Sequence, residues 1–313
     1  MQTSLKRVAL LVALAAAGLG CSQQNSSAPT SPAAVAAATS SPEGTISASV
    51  KALRQNNVGA LLEITLPPAE VAKMKADWSK EMNKDPVTDE DRKQFADTMT
   101  KLTAPDAEAK LYAQIEPQLK EFDVKQAQQM PMMVAMGRGF AQSAIQQSKE
   151  LTDAQKQQAS QLLDAVGNWA QTTHFTDPAL VKSAIAAICK TARDLNLKTI
   201  DEARALTYDQ GMQKAGIILG GVKQVLLVYG LNTDKSLDSV KVDPAVVTGD
   251  SAKVKVSYVA FDQPFATDSD LVKVDNKWYS KQAIDQWNKR QQEQTAAAAV
   301  PPPTPSNEPT PAK

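Results

Sequence analysis

The sequence predicts an α+β protein, predominantly α-helical: a multi-helix domain with a small antiparallel sheet of three or four strands near the C-terminus. Three observations lead there. Apolar residues recur at helical spacing from Ile46 to Leu231, with Pro, Thr and Asp marking where one helix yields to the next. After Gly230 the period shortens from about 3.6 to 2, the alternation of a half-buried strand. The flanks, 22–43 and 295–313, are Ser, Gln, Ala, Thr and Pro without apolar periodicity, so the domain is expected over 44–294.

Ile46, Val50 and Leu53 share a helical face, which Val58, Leu61 and Leu62 resume after the Asn56-Asn57 break. Pro67-Pro68 opens the next helix, with Val71, Met74, Trp78 and Met82 on one stripe. Proline suits a first turn because its missing N–H would have no helical partner there. Thr88 is placed to cap a third helix carrying Phe95, Met99 and Leu102. Pro105-Asp106 opens a fourth with Leu111, Ile115, Leu119 and Phe122; Pro117 inside it is expected to kink or split it. Pro131 starts a fifth, through Phe140 and Ile145. Thr152 with Gln155, and Thr199 with Glu202, have capping-box spacing. Asp177-Pro178 opens a helix expected to turn Val181, Ile185, Ile188 and Cys189 inward. Ala215 to Leu231 is the most apolar stretch of the domain. Lys223 and Gln224 interrupt it and it is too short to span a bilayer, so it reads as a buried central helix. Gly216 and Gly220, four apart, would admit a neighbouring helix at close range.

Val240 and Val242, then Val254, Val256, Tyr258 and Ala260, then Leu271, Val272 and Val274, then Trp278 read as strands, with hairpins over about 236–280. Thr248-Gly249-Asp250 and Asp275-Asn276-Lys277 are the turns between them. A short helix around 283–292 closes the domain with Ile284 and Trp287. The run LVKVDNKWYSKQAID resembles the last hairpin of nuclear-transport-factor-2-like and cystatin-like lipoprotein domains, over about fifty residues. Asn276-Lys277 stands where those domains often carry Gly. SVKALRQNNVGALLEI and ICKTARDLNLKTIDEA share Lys, Arg, Asn and Glu at matched positions; short helical hairpins also converge on such patterns.

Charge excludes one class of partner. With 34 Lys+Arg against 34 Asp+Glu the chain is neutral, and loss of Lys6 and Arg7 with a signal would leave it slightly acidic. Such a balance offers no electrostatic footprint for nucleic acid.

Lys6 and Arg7 precede an apolar run, Val8–Ala17, too short for a permanent span, followed by Gly18-Leu19-Gly20-Cys21. This start resembles the signal and lipobox of bacterial lipoproteins, with Gly18 where the family usually has Leu. The resemblance implies cleavage between Gly20 and Cys21 and acylation of the Cys21 thiol. Ser22, in place of Asp, implies sorting to the outer membrane, facing the periplasm. Residues 22–43 would then be the leash, about 25 Å root-mean-square as a flexible coil. The tail Pro301–Lys313 would reach roughly 40 Å as polyproline II, an inert solubilising segment. With Cys21 acylated only Cys189 remains, so no intramolecular disulfide can form.

No residue set announces catalysis, a cofactor or a metal. His174 is the sole histidine, and about 17 Å of helix axis separates its neighbourhood from Cys189, which reads as a small buried hydrophobe. One histidine and one free cysteine cannot build the usual zinc sites. Met130, Met132, Met133 and Met136 are soft donors suited to Cu(I), but methionine is also the adaptable filler of helical cores, and core packing is the expectation. Asn232, Asp234, Ser236, Asp238 and Asp243 have offsets like a calcium loop, but Leu237 occupies the position that needs Gly; solvated turns are expected, there and at Asp268 and Asp270. Asp89, Glu90 and Asp91 suit a helix N-terminus. The expected function is a non-catalytic binding or scaffolding role in the envelope, with the membrane engaged through Cys21 and an envelope protein or a small hydrophobic ligand as further partner. The competing reading is a periplasmic hydrolase working with two carboxylates, for which a sheet-lined pocket with a close, desolvated pair would be the mark.

Overall fold

The computed structural model describes residues 32–125, 129–149 and 151–298. Among them the chain forms thirteen helices and, near the C-terminus, an antiparallel sheet. Helices α1 (Pro32–Ala38), α2 (Pro42–Arg54), α3 (Val58–Thr65), α4 (Pro68–Met82), α5 (Asp89–Thr103) and α6 (Ala107–Lys125) come first. They are followed by α7 (Met130–Gln147), α8 (Asp153–Thr172), α9 (Pro178–Leu195), α10 (Ile200–Arg204), α11 (Tyr208–Val228) and α12 (Thr233–Asp238). The strands are β1 (Lys241–Val242), β2 (Val246–Thr248), β3 (Ser251–Ala260), β4 (Gln263–Val274) and β5 (Lys277–Ser280), before α13 (Lys281–Ala298).

Local chemistry sets most helix starts. Thr88, Thr152 and Thr199 each accept the N–H three residues on, while Asp91, Gln155 and Glu202 reach back to the cap's own N–H. Asp177 accepts from Ala179 and Leu180, and Ser41 from Gly44 ahead of Pro42. A fourth box, Thr207 with Gln210, opens α11 seven residues before its apolar run.

The main core lies between α2 and the sheet. Ile46 and Val50 meet Leu237, Val240, Ala252, Val254, Val256, Leu271 and Trp278. On β3, Ala252, Val254 and Val256 point in while Lys253 points out, 2.8 Å from Asp270. The sheet runs β1-β3-β4-β5, with β2 also paired to β3. Asp275 and Asn276 close β4–β5 with left-handed φ of 49° and 61°, as a two-residue hairpin requires. The β3–β4 turn escapes sequence rules: Phe261 and Asp262 take φ of 51° and 57°, strained for a phenylalanine. The Phe261 ring packs 6.1 Å from Trp169, whose indole also meets Phe175 edge-on and donates to the Tyr229 carbonyl (2.8 Å). That aromatic cluster seats α8 beside the sheet.

The structure revises several expectations. Helix α1 lies inside the stretch expected to be leash. Val35 is buried with Ala48, Ala52, Ala60, Leu61 and Ile64, and the Thr39 carbonyl accepts from Trp278 N–H (2.9 Å). Pro117 does not split α6, which runs through it. Helix α11 is central but only one stripe is buried: Tyr208, Met212, Gly216 and Lys223 face inward while Ile218, Val222 and Leu227 are exposed. Ile188 also turns outward, because α9 points Val181, Ile185 and Cys189 at α6. Strand β4 begins eight residues before Leu271, and β2 was not expected. The closing helix extends to Ala298.

Candidate binding groove

The turn between α2 and α3 builds the site. Asn56 adopts a left-handed φ of 56°, which asparagine tolerates because its short amide can bond locally. Asn57 then caps α3 by accepting from Ala60 N–H (2.9 Å). This turn drives into α11 at its glycines. A Cβ on Gly216 would stand 2.4 Å from the Asn56 carbonyl oxygen, and one on Gly220 would stand 3.1 Å from the Asn56 amide nitrogen. Gly221 plays the same part for α9, where a Cβ would meet Thr191 Oγ1 at 2.2 Å. The glycine spacing thus admits a close neighbour, but at Gly216 and Gly220 that neighbour is an asparagine turn, not a helix.

Between α3, α9 and α11 these contacts leave an open groove of about 1090 Å³. Val58, Met212 and Ile217 contribute apolar wall; Gln55, Gln213 and Gln224 contribute amides. Two buried side-chain polar atoms at its margin have no hydrogen-bond partner: Asn56 Oδ1 and the Tyr208 hydroxyl. Tyr208 is held edge-on to Trp78 (centroids 5.5 Å apart, 84°), with Lys75 Nζ 5.3 Å from its ring centre. Burial pushes its phenol up to about 12, because the phenolate would lose hydration without a compensating donor. The Trp78 indole donates to the Leu206 carbonyl (2.7 Å), fixing the wall between this groove and a smaller hollow of about 640 Å³ on the α4–α10 side. The charges of that hollow are engaged: Arg204 donates to the Asp85 carbonyl (2.9 Å) and Asp201 pairs with Arg92 (3.1 Å).

Two of the groove carboxylates also carry partners. Glu63 accepts from Lys75 (3.0 Å) and Asp194 from Lys190 (2.5 Å), while Asp209 is exposed in the first turn of α11. The walls are helical, and no close pair of desolvated carboxylates lines them.

Behind the groove, Lys223 is the buried charge that interrupts the apolar run. Its ammonium donates to the Leu53 carbonyl (2.6 Å) and to Asp234 (2.8 Å), a cation on the C-terminal end of α2 where the helix dipole favours it. Arg54 bonds Asp234 (3.1 Å) and Asp238 (2.9 Å). Of the residues spaced like a calcium loop, Asn232 caps helix α12 and Asp234 and Asp238 are its ion-pair partners, so the expected solvated turn is a helical pin, while Asp243 follows β1; Asp268 and Asp270 lie on β4 beside Lys253, not in a turn.

Among the other residues weighed from sequence, His174 lies in the turn before α9 and Cys189 is fully buried beside Ala107, Val181 and Ile185. Burial pushes the Cys189 thiol up, away from the reactive thiolate. Three of the four methionines overturn their expectation, and the side chain of Met130 lies outside what the structure describes. Met132, Met133 and Met136 are 73%, 50% and 58% exposed, not core filler, because α7 turns Val134, Arg138, Ala141 and Ile145 toward α8 instead. Gly20 and Cys21, the cleavage and lipidation residues, lie outside the described residues. Neither Asn56 nor Tyr208 was singled out from sequence; the double Asn and the flanking glycines were visible, but their meeting depends on how α11 crosses the turn. No family model matches this chain, and neither a curated protein nor a solved structure is similar to it.

Proposed function

We propose that this protein is a lipoprotein anchored through Cys21 to the outer membrane, facing the periplasm, with a non-catalytic binding role. The α3–α9–α11 groove is its binding site. The observation that carries the reading is the groove itself, about 1090 Å³ between α3, α9 and α11, whose walls mix the apolar side chains of Val58, Met212 and Ile217 with the amides of Gln55, Gln213 and Gln224. The mixture of amides and short aliphatic walls suits a small amphiphilic molecule, part polar and part hydrophobic.

Two measurements test it. Cys21→Ser should move the protein from the membrane to the soluble fraction and remove the acyl mass; unchanged fractionation refutes the anchor. For the groove, the tethered protein is crosslinked in cells, then taken from envelopes and examined by native mass spectrometry. A retained molecule that Gln213→Trp excludes, with the fold intact, supports the site. Recovery of neither a small molecule nor a crosslinked partner refutes the binding role.

A further inference from the structure

The groove leaves one surface unaccounted for. Helix α7 is carried on α8, with Gln142 donating to Ser160 (2.9 Å) and Arg138 paired with Asp164 across the buried Gly167. These two bonds set an antiparallel register. The opposite side of α7, turned to solvent, carries Met132, Met133, Met136 and Phe140, the last 72% exposed. That face bears no charge. The surrounding sequence is equally unusual: from Val124 to Lys149 there is no Asp or Glu, in a chain that has 34, while Lys125, Arg138 and Lys149 are basic.

We infer that this face of α7 lies on the phospholipid surface of the membrane, with its methionines and Phe140 among the headgroups. An exposed apolar stripe on a helix without carboxylates is what an anionic interface accepts, since no like charge opposes approach. A second copy of the chain fits less well. A helix face about 27 Å long and about 10–12 Å wide pairs with its equal over roughly 600 Å², half of the about 1,200 Å² at which specific interfaces begin. A fluid lipid surface needs no matching partner. The inference rests on the anchored reading in one respect: tethering makes the contact intramolecular, so a weak interfacial affinity suffices to lay the domain down.

The test uses residues 22–313, which keep every described residue and lack the lipid, so its outcome is independent of the Cys21 fractionation. Flotation is measured with vesicles of phosphatidylethanolamine and phosphatidylglycerol, and with phosphatidylcholine alone. The wild type should float with the anionic vesicles. Met132→Gln, Met136→Gln and Phe140→Gln combined should weaken partition by about tenfold or more, and the same positions changed to Leu should keep it. These side chains point into solvent, so helicity and melting should be unaltered. Absence of wild-type flotation, or equal flotation of the Gln and Leu variants, overturns the inference. A dimer in sedimentation that the Gln variant dissolves, without vesicle binding, overturns it in favour of a second copy.

Discussion

Gly216→Ala sets two known effects against each other. Alanine is worth about 1 kcal/mol over glycine inside a helix, so α11 alone would gain from the change. The new methyl would lie 2.4 Å from the Asn56 carbonyl oxygen, where ordinary contact begins at 3.4 Å, so turn and helix must part by about 1 Å. The turn cannot slip away freely. Asn56 is already in the left-handed region, Asn57 is capping α3, and Lys223 holds the Leu53 carbonyl just upstream. Overpacking of this kind costs about 1–3 kcal/mol, and a backbone oxygen puts it at the upper end. The expected net loss is about 1–2 kcal/mol, or roughly 2–4 °C in Tm for a domain of this size. Urea unfolding followed by far-ultraviolet circular dichroism reads the midpoint and slope together. Gly137→Ala in α7 is the matched control: a Cβ there meets nothing within 4 Å, so the variant should be unchanged or more stable by up to about 1 kcal/mol. A Gly216→Ala protein as stable as the wild type refutes the reasoning, because close approach would then not be what glycine provides.

Two further outcomes follow from the interior. Lys223→Ala leaves the Leu53 carbonyl without its donor and Asp234 with Arg54 alone, and should destabilise by about 1–3 kcal/mol, read as a lower urea midpoint; a loss under about 0.5 kcal/mol would show the pin to be dispensable. Burial raises the phenols of Tyr208, Tyr229, Tyr258 and Tyr279, Tyr208 to about 12 from a reference of 10. A raised acid in the folded state means that the unfolded chain loses its proton first. The stabilising contribution is therefore complete below pH 10 and falls as pH climbs through about 12. Denaturation midpoints against pH should decline in that window, with a smaller decline in Tyr208→Phe; a flat profile to pH 12 contradicts the burial argument.

The helix starts show how far sequence reaches. Thr88, Thr152, Thr199 and Asp177 satisfy their own first-turn N–H groups within three residues, so their role is decided before any tertiary contact forms. The alternation at Val254 and Val256 and the Asp275-Asn276 turn are local in the same sense, which is why the helical class, the small C-terminal sheet and its closing hairpin were all legible. What lay beyond reach depends on partners far apart in the chain. The residues around Leu237 form a helical pin because Arg54 and Lys223, 180 and 11 residues from Asp234, come to its carboxylate. The methionines of α7 are exposed because Val134, Arg138 and Ile145, not they, face α8. Val35 belongs to the core because Ala52 and Ile64 give it one. The groove is the same case: Asn56 and Tyr208 are unremarkable residues until α11 crosses the α2–α3 turn and shuts their polar atoms away from water. By itself the sequence determined the period, the caps and the turns, whose free energies are local. Only the tertiary structure decided which faces meet, because burial belongs to pairs of surfaces and no single segment carries it.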